Sequence, residues 1–388
     1  MTSSATSLFT FLDDQENHLI DLLSSLVNID TGSYDKPGID LVINILKEKF
    51  DQLGFDTEEI TLAERGNHLL ARKRGSSGRK LLLLGHCDTV FEAGSAKQRP
   101  FRIDGKRAFG PGVADMKGGL TAMIHALDAV RRKAPDVWDD LGITVIINSD
   151  EEISSPTSRP IIESEAKHAN AICVLEPARP GGEYVTQRKG HGTFRLQING
   201  KSAHAGVDPQ AGASAIHELC KKAVGIQALN NYESGLTVNV GDVRGGTRAN
   251  VVAESAEAEI DVRITTSDEG EWISNELNRI ATQVYTPGTH SELSGAIEFP
   301  PMPRNESNLQ LFRLVQQAGA ELNLTLNETS TGGVSDGNYA SQYAPTCDGM
   351  GPQGGGFHSP NEYIELPSLL ERTKVLARFI TLWHASAG

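Results

Sequence analysis

Short apolar runs that end abruptly in polar residues recur along the first half of the chain. Three of them are Leu81–Leu84, Ile143–Ile147 and Ala171–Leu175. Runs of this kind are typical of buried strands in a mostly parallel sheet. Functional sites in such sheets lie outside the carboxyl ends of the strands. The pattern therefore predicts one rim at which residues of metal-ligand type meet: His86, Asp88, Glu151, Glu152 and Glu176.

Helical periodicity alternates with these strands. The first amphipathic helix is indicated by leucines at positions i, i+3, i+4 and i+7, from Leu19 to Leu26. A second helix is predicted to end at Gly54, and a third to begin at Gly118-Gly119. Helices that alternate with buried strands predict an α/β fold, in which helices flank a mostly parallel sheet.

The middle of the chain has a different pattern. Between Arg188 and Pro301 the elements read strand, helix, strand, strand, helix, strand. This split βαβ order predicts an inserted α+β domain of the ferredoxin-like type, with one antiparallel sheet and two helices. We expect its first helix to run from Pro209 to about Leu229, and its second to follow a cap at Ser267-Asp268. The predicted domains are thus residues 1–187 with 302–388, and the insertion 188–301.

Composition excludes some classes of protein. The 388 residues carry a formal net charge of −14, and Lys and Arg form no long cluster, which argues against a nucleic-acid partner. No apolar stretch reaches membrane-spanning length, and the N-terminus has no basic start followed by an apolar segment, so a cytoplasmic location is expected. The cysteines have no CxxC spacing, and Cys173 and Cys220 fall in apolar patterns that predict core positions.

Two glycine-rich segments and one acidic pair carry further candidate chemistry. Asp115, in the segment 110–119, is either a carboxylate that bridges two metals or an ordinary helix N-cap. A phosphate loop fits poorly, because Lys117 is not followed by Ser or Thr. Taken alone, His358 in the segment 354–360 is more readily explained as part of an ordinary turn than as a metal ligand. Glu151 and Glu152 are either two solvated surface carboxylates or a base beside a ligand. Their place after a buried strand favours the second reading.

Taken together, these motifs resemble the M20 metallopeptidase family. Its members include carboxypeptidase G2, aminoacylase-1, acetylornithine deacetylase and succinyl-diaminopimelate desuccinylase. The resemblance covers nearly the whole chain, because GHCDTV, GVADMKGG, NSDEE, LEP, SAHAG and GFHSP occur in the family order. It is strongest to the carboxypeptidase G2, or glutamate carboxypeptidase, branch, through the segment 331–336 and the spacing of the inserted domain.

The resemblance implies two Zn²⁺ ions per subunit, with Co²⁺ or Mn²⁺ as possible replacements. The implied ligands are His86, Asp115, Glu152, Glu176 and His358. His86 and Glu176 would hold one ion, Glu152 and His358 the other, and Asp115 would bridge them. Asp88 would orient the His86 ring, and Glu151 would be the general base that activates a water between the metals.

The inserted domain is expected to complete the site and to form a homodimer. In the family pattern His204 reaches into the site of the partner subunit and supports the oxyanion, while Asn250 and Arg263 bind the substrate carboxylate. An Arg is well suited to this, since its planar fork meets a carboxylate with two hydrogen bonds. Without the resemblance, His204 would be read as a loop histidine and Arg263 as part of a surface ion pair.

The leading functional hypothesis is a zinc-dependent amidase that cleaves an amide next to a free carboxylate, as a glutamate carboxypeptidase or an N-acyl amino acid hydrolase does. An aminopeptidase or dipeptidase of the same family is the second, although its relatives tend to carry Asp at position 176. A catalytically silent metal-binding relative is the third, against which the intact Glu151 argues. The carboxypeptidase G2 branch carries a basic residue before the second hinge that helps to bind the substrate. The corresponding segment 299–303 of this chain is Phe-Pro-Pro-Met-Pro, and Arg304 lies close by but at a shifted position. The sequence therefore does not specify which amino acid leaves.

Overall fold

The computed structural model describes residues 3–386. Its helices, in chain order, are α1 Ser3–Asp13, α2 Glu16–Val27, α3 Lys36–Leu53, α4 Ser95–Gln98, α5 Gly118–Lys133, α6 Pro135–Asp140, α7 Arg159–Ala166, α8 Ala215–Gln227, α9 Ser267–Thr282, α10 Glu306–Ala320, α11 Asp336–Ala340 and α12 Leu366–Ala385.

The strands are β1 Asp56–Ile60, β2 His68–Lys73, β3 Lys80–His86, β4 Arg102–Asp104, β5 Arg107–Phe109, β6 Gly142–Asn148, β7 Ala171–Val174, β8 Tyr184–Arg188, β9 Gly190–Asn199, β10 Thr237–Gly245, β11 Ser255–Ile264, β12 His290–Phe299, β13 Glu328–Thr331, β14 Thr346–Cys347, β15 Gly354–Gly355 and β16 Tyr363–Glu365.

Contacts divide the chain into two compact units. The first contains the described residues up to Thr186, Arg304–Ser330 and the residues from Ser335 onward, and the second contains Gln187–Pro303 and Thr331–Val334. The short segment 331–334 joins the second unit although it lies 28 residues beyond the end of Gln187–Pro303 in the chain, which the sequence pattern did not indicate.

A mixed sheet lies at the centre of the first unit, in the order β1-β2-β6-β3-β7-β14. β6, β3, β7 and β14 pair in parallel, whereas β1 and β2 add two antiparallel pairings at one edge. Leu81–Leu84 is fully buried, because the sheet is covered on both faces, and this explains the unbroken apolar run. The predicted α/β architecture with a mostly parallel sheet and flanking helices is therefore confirmed.

Helices α5 and α12 pack beside this sheet. Leu120, Met123 and Leu127 of α5 enter the same buried cluster as the strand residues, at the i, i+3 and i+7 spacing of one helix face. The predicted end of α3 is also confirmed, since Gly54 adopts the left-handed conformation at φ 89° that terminates many helices. The parallel strands thus carry their C-terminal residues to one edge of a rigid core.

The second unit contains an antiparallel sheet in the order β10-β11-β9-β12, together with α8 and α9. The α+β arrangement with ferredoxin-like strand order agrees with the prediction. The predicted start of the first helix at Pro209 is wrong, because Pro209–Ala211 forms a short 3₁₀ turn and α8 begins only after Ser214. The side chain of Ser214 accepts a hydrogen bond from the backbone N–H of His217 and so caps the helix.

Two smaller expectations also need correction. The cap of α9 is Thr266 rather than Ser267-Asp268, since the Thr266 hydroxyl accepts a hydrogen bond from Glu269 N at 3.2 Å. Cys173 is buried as predicted, but Cys220 lies on the exposed side of α8. Among the helices of residues 3–386, none is long and apolar enough to cross a membrane.

Candidate metal centre

The first cluster of ligand-type side chains forms around the end of β3. His86 is the last residue of that strand, and its Nε2 lies 3.2 Å from Asp115 Oδ1 and 3.5 Å from Glu176 Oε1. Glu176 follows β7, the parallel neighbour of β3, which is why the two residues reach the same edge of the sheet. Two of the three apolar runs therefore deliver one nitrogen and one carboxylate to a single point.

A second cluster lies directly beside the first and shares one residue with it. His358 Nε2 is 3.4 Å from Asp115 Oδ2 and 3.3 Å from Glu152 Oε2. Asp115 faces the two clusters with different oxygens, Oδ1 toward His86 and Oδ2 toward His358. This is the arrangement that a carboxylate adopts when it bridges two cations.

The spacing of the donor atoms fits two divalent metals. Ligand atoms held at about 2.1 Å from a tetrahedral Zn²⁺ lie about 3.4 Å from one another. In each of the two groups, His86-Asp115-Glu176 and Asp115-Glu152-His358, the ligand atoms all lie within 4.8 Å of one another. Imidazole and carboxylate donors suit zinc, cobalt and manganese. The residues present therefore fit a dinuclear centre.

The electrostatics of the two clusters favour positive charge. Burial of His86 opposes its protonation, but hydrogen bonds to Asp115, Asp88 and Glu176 outweigh burial and raise the pKa of His86 well above its usual value. Hydrogen bonds to Asp115 and Glu152 raise the pKa of His358 to about 10. Surroundings that stabilise an imidazolium also attract a cation, because the same carboxylates supply the field.

Asp115 is held by a buried carboxylate that the sequence analysis did not single out. It lies in the irregular segment Val113–Lys117, just before α5, and it does not act as the N-cap of that helix. Glu362, which is 1 % exposed, accepts hydrogen bonds from the backbone N–H groups of Gly112, Ala114 and Asp115 at 2.9, 2.8 and 3.0 Å. Glu362 also lies four residues after His358, so it ties the two ligand-bearing loops together.

Asp88 organises the opposite side of the centre. The ring of His86 places Nδ1 at 3.0 Å from the backbone oxygen of Asp88 and 3.4 Å from its Oδ1, which leaves Nε2 directed at the ligand cluster. The Asp88 carboxylate also accepts hydrogen bonds from the backbone N–H groups of Glu151 and Glu152, both at 3.2 Å, and from the Ser33 hydroxyl at 2.8 Å. Asp88 therefore positions residues from three segments.

Glu151 lies next to the centre without belonging to either ligand group. Its Oε2 is 4.0 Å from His86 Nε2, whereas its neighbour Glu152 belongs to the second group. Burial raises the pKa of Glu151 well above its ordinary value, and the charges of Glu176 and Asp336 add to this effect against the opposing influence of His86. Of the two adjacent glutamates, only Glu152 therefore lies in one of the two ligand groups.

Asp336 is a further buried carboxylate behind Glu151. It accepts hydrogen bonds from Asn148 Nδ2 and Ser155 Oγ, both at 2.5 Å. Burial raises its pKa to about 7. It comes from the start of α11, and it braces the end of β6 and the turn that carries the two glutamates. Asp336 is the last residue of the segment 331–336, which contributed to the family resemblance without giving this carboxylate a role. Glu362 belongs to none of the motifs found in the sequence.

The remaining predicted residues lie in the second unit. His204 and Asn250 come from neighbouring loops, which are joined by the hydrogen bond from Ala205 N to Asn250 O at 3.0 Å. The Nδ1 atom of His204 accepts hydrogen bonds from the backbone N–H groups of Gly206 and Val207 at 3.1 and 3.2 Å. A neutral His204 therefore carries its proton on Nε2, where it can donate.

The guanidinium of Arg263 already makes three hydrogen bonds within the second unit. Its Nε and Nη2 each donate to the Asp261 carboxylate at 3.0 Å, and Nη1 donates to Gly332 O at 3.2 Å. A guanidinium has five N–H donors, so two remain for a ligand. The bidentate face of the fork is taken by Asp261. The roles of His204, Asn250 and Arg263 in catalysis stay predictions.

Comparison with known proteins decides the family. The profile described as Peptidase family M20/M25/M40 matches residues 82–382. The chain belongs to this family. Carboxypeptidase G2 of Pseudomonas sp. (strain RS-16) is 30 % identical over 382 residues, which cover 96 % of this chain and 91 % of that protein. The family resemblance found in the motifs is therefore confirmed, and this M20 protein is a hydrolase of the peptidase type.

Solved structures share the fold. Aminopeptidase PepT from Bacillus cereus superimposes with a TM-score of 0.80 at 23 % identity, covering 94 % of this chain and 98 % of that one. A dinuclear metal-binding peptidase of the M20 family from Bacillus subtilis gives a TM-score of 0.71 at 15 % identity, with 96 % and 99 % coverage. At these identities the likeness establishes the common architecture.

Proposed function

We propose that this M20 protein is a di-zinc hydrolase that cleaves an amide bond adjacent to a free carboxylate, as a carboxypeptidase or an N-acyl amino acid amidohydrolase. The observation that carries the proposal is the double use of Asp115, whose two carboxylate oxygens face two separate groups of ligand-type side chains. His86 and Glu176 would hold one ion, and Glu152 and His358 the other. When bound, two such cations polarise a carbonyl and lower the pKa of water.

Glu151 is assigned the role of general base. It is buried beside the ligand clusters but belongs to neither of them, so its carboxylate is free to accept a proton. In the proposed reaction Glu151 takes a proton from the attacking water and passes it to the nitrogen of the leaving amine. Asp88 positions the residues of this step, since its carboxylate accepts hydrogen bonds from the backbone N–H groups of Glu151 and Glu152 and contacts the ring of His86.

The second unit is assigned to substrate binding. We assign the free carboxylate of the leaving amino acid to Asn250 and the two unused N–H groups of Arg263. His204, with its proton on Nε2, is assigned to the oxyanion, and by analogy with the family it would act in the partner subunit of a homodimer. These assignments rest on the family pattern together with the hydrogen-bond state of each side chain.

The region near residue 304 does not specify which amino acid leaves. Arg304 binds Glu328 through two of its nitrogens, in the first unit. It is therefore already paired, and its position is shifted from that of the basic residue that the carboxypeptidase G2 branch carries before the second hinge. Glutamate is consequently one candidate among several.

The test is amine release by the zinc-loaded protein from a panel of N-acyl amino acids and dipeptides that vary the C-terminal residue. Turnover of substrates with a free carboxylate, and little turnover of the matching C-terminal amides, is expected. Glu151→Ala should keep both ions and lose turnover by about 10²–10⁴-fold. Glu371→Ala, which removes an exposed carboxylate from α12, is the matched control.

Three results would contradict the proposal. Retained turnover in Glu151→Ala would remove Glu151 from the mechanism. Preference for the C-terminal amides or for substrates with a free amino terminus would favour an aminopeptidase or dipeptidase. Two bound ions without turnover on any member of the panel would favour a binding protein.

A further inference from the structure

A cavity of about 580 Å³ opens beside the second metal cluster, within the first unit. Its walls are the loops 32–35 and 89–93, together with Glu152 and Ile153. We call this cavity the loop pocket. Because Glu152 belongs both to the pocket wall and to the Asp115-Glu152-His358 group, the pocket borders the candidate centre.

The two loops of the pocket are fastened to each other. Ser33 N donates to Thr89 O at 3.3 Å, and Thr89 N donates to Thr31 O at 2.8 Å. A Cβ atom on Gly32 would lie 2.4 Å from Phe91 O, so only glycine allows this approach. The pocket is therefore built by the backbone, and its shape does not depend on a ligand to order it.

The surface offered to a ligand is mainly apolar and aromatic. Tyr34 is 74 % exposed and Val90 is 42 % exposed, although large apolar side chains are usually buried in a folded domain. Phe91 and Ile153 are half-buried in the same wall. Exposed apolar side chains that line a cavity next to a reactive centre mark a ligand-binding groove.

Arginine side chains brace both aromatic rings. The guanidinium of Arg65 lies 5.1 Å from the ring centre of Tyr34, and that of Arg99 lies 4.6 Å from the ring centre of Phe91. Contacts of this kind restrain a ring that is otherwise exposed. A preorganised aromatic wall lowers the entropic cost of binding an apolar group.

The polar groups of the wall are already engaged or acidic. Ser33 Oγ donates to Asp88, and the Asp35 side chain accepts from Gly38 N. Glu92 adds a carboxylate to the rim. The carboxylates of Asp35 and Glu92 are balanced by the guanidinium groups of Arg65 and Arg99, which lie over the two rings. The aromatic surface, rather than the charge of the wall, is therefore the selective feature of the pocket.

We propose that the loop pocket binds the acyl half of the substrate and prefers an aromatic acyl group, seated against Tyr34 and Phe91. This rests on the proposed amide hydrolysis, in which Asn250 and Arg263 take the carboxylate of the leaving amino acid and leave the acyl group to the first unit. The pocket then sets specificity at the side of the scissile bond opposite the free carboxylate.

The test compares N-(2-naphthoyl), N-acetyl and N-succinyl derivatives of one amino acid. The wild type should prefer naphthoyl to both acetyl and succinyl. Tyr34→Ala should lower kcat/KM for the naphthoyl substrate about tenfold, mainly through KM, and leave the acetyl substrate unchanged. Tyr34→Phe should restore the preference. Tyr343→Ala is the matched control, because Tyr343 is 41 % exposed and lies under Lys167 at 5.1 Å.

A binding measurement separates this proposal from the proposed function. Neutral 2-naphthamide lacks the free carboxylate, and its binding to the metal-loaded protein can be followed by its fluorescence. Tyr34→Ala should weaken that binding about tenfold, and Tyr343→Ala should not. If no amide is hydrolysed, the proposed function fails and this binding alone decides the pocket. If Tyr34→Ala affects naphthoyl and acetyl substrates equally, or leaves naphthamide binding unchanged, the pocket proposal is overturned.

Discussion

Glu362 and Asp115 are joined through the backbone: the Glu362 carboxylate accepts a hydrogen bond from Asp115 N at 3.0 Å and from two further N–H groups of the same loop. A buried carboxylate that receives three such bonds fixes a segment with little freedom to move. Since Asp115 is the residue shared by both ligand groups, two ions bound at the proposed centre would both depend on this contact for their positions.

Glu362→Gln is expected to weaken metal binding without abolishing the fold. The amide nitrogen of Gln would face a backbone N–H donor, so the loop would lose part of its support. Loss of an outer hydrogen-bond partner typically costs about 10–100-fold in metal affinity. Titration against a competing chelator measures this, and Glu365→Gln, which removes a charge three residues away, should bind as wild type does. Equal metal affinity in both variants would show that Glu362 does not position Asp115.

Metal stoichiometry should distinguish the bridging ligand from the terminal ones. His358 serves the second group alone, so His358→Ala is expected to retain about one ion per subunit. Asp115→Ala removes an oxygen from both groups and should reduce binding at both. Elemental analysis after dialysis against a weak chelator gives the number of ions, with circular dichroism as the check on folding. Two tightly held ions in Asp115→Ala would rule out a bridging role.

Much of the first cluster could be predicted because it follows from strand topology. His86 ends β3 and Glu176 follows β7, each after an apolar run, and parallel strands bring such residues to one edge. Glu362 could not be predicted in this way. Its partners are backbone N–H groups, which every residue except proline carries, so no pairing of side-chain types in the sequence indicates the contact.

The boundaries of the second unit could be predicted from the sequence only in part. Its strand and helix order could be predicted from alternation and periodicity, but α8 begins six residues later than Pro209 because the capping Ser214 determines the start. The segment 331–334 joins this unit through long-range contacts, as in the hydrogen bond from Arg263 to Gly332 O. Contacts between distant segments leave no periodic pattern to read.

His68 is expected to make the stability of the protein sensitive to acid. The ring is buried, its Nδ1 accepts a hydrogen bond from Ser149 N at 3.2 Å, and its Nε2 lies 2.9 Å from Thr157 Oγ1. Burial lowers the pKa of His68 below the value of 6.5. The folded state therefore keeps the ring neutral, and the unfolded state takes up the proton first as the pH falls.

This contribution to stability is fully present above pH 6.5 and declines as the pH falls through that value toward the lower pKa of the folded state. His68→Asn, whose Oδ1 can replace Nδ1 as acceptor, should reduce the loss of unfolding free energy between pH 7.5 and pH 5. Urea unfolding in saturating zinc measures it, and His290→Asn, at an exposed histidine, serves as control. The same loss in both variants would exclude His68 as its source.

Complementation between two inactive variants tests the proposed role of His204 in a dimer. Glu151→Ala and His204→Ala are each expected to be inactive as pure proteins. If His204 acts in the partner's site, a mixed dimer pairs an intact Glu151 with an intact His204 in one of its two sites. Random exchange of equal amounts should then restore about one quarter of wild-type activity, since half of the dimers are mixed and each has one complete site. If His204 acts within its own subunit, or if the protein is an active monomer in sedimentation, mixing restores nothing, and the assignment of His204 to the partner's oxyanion falls.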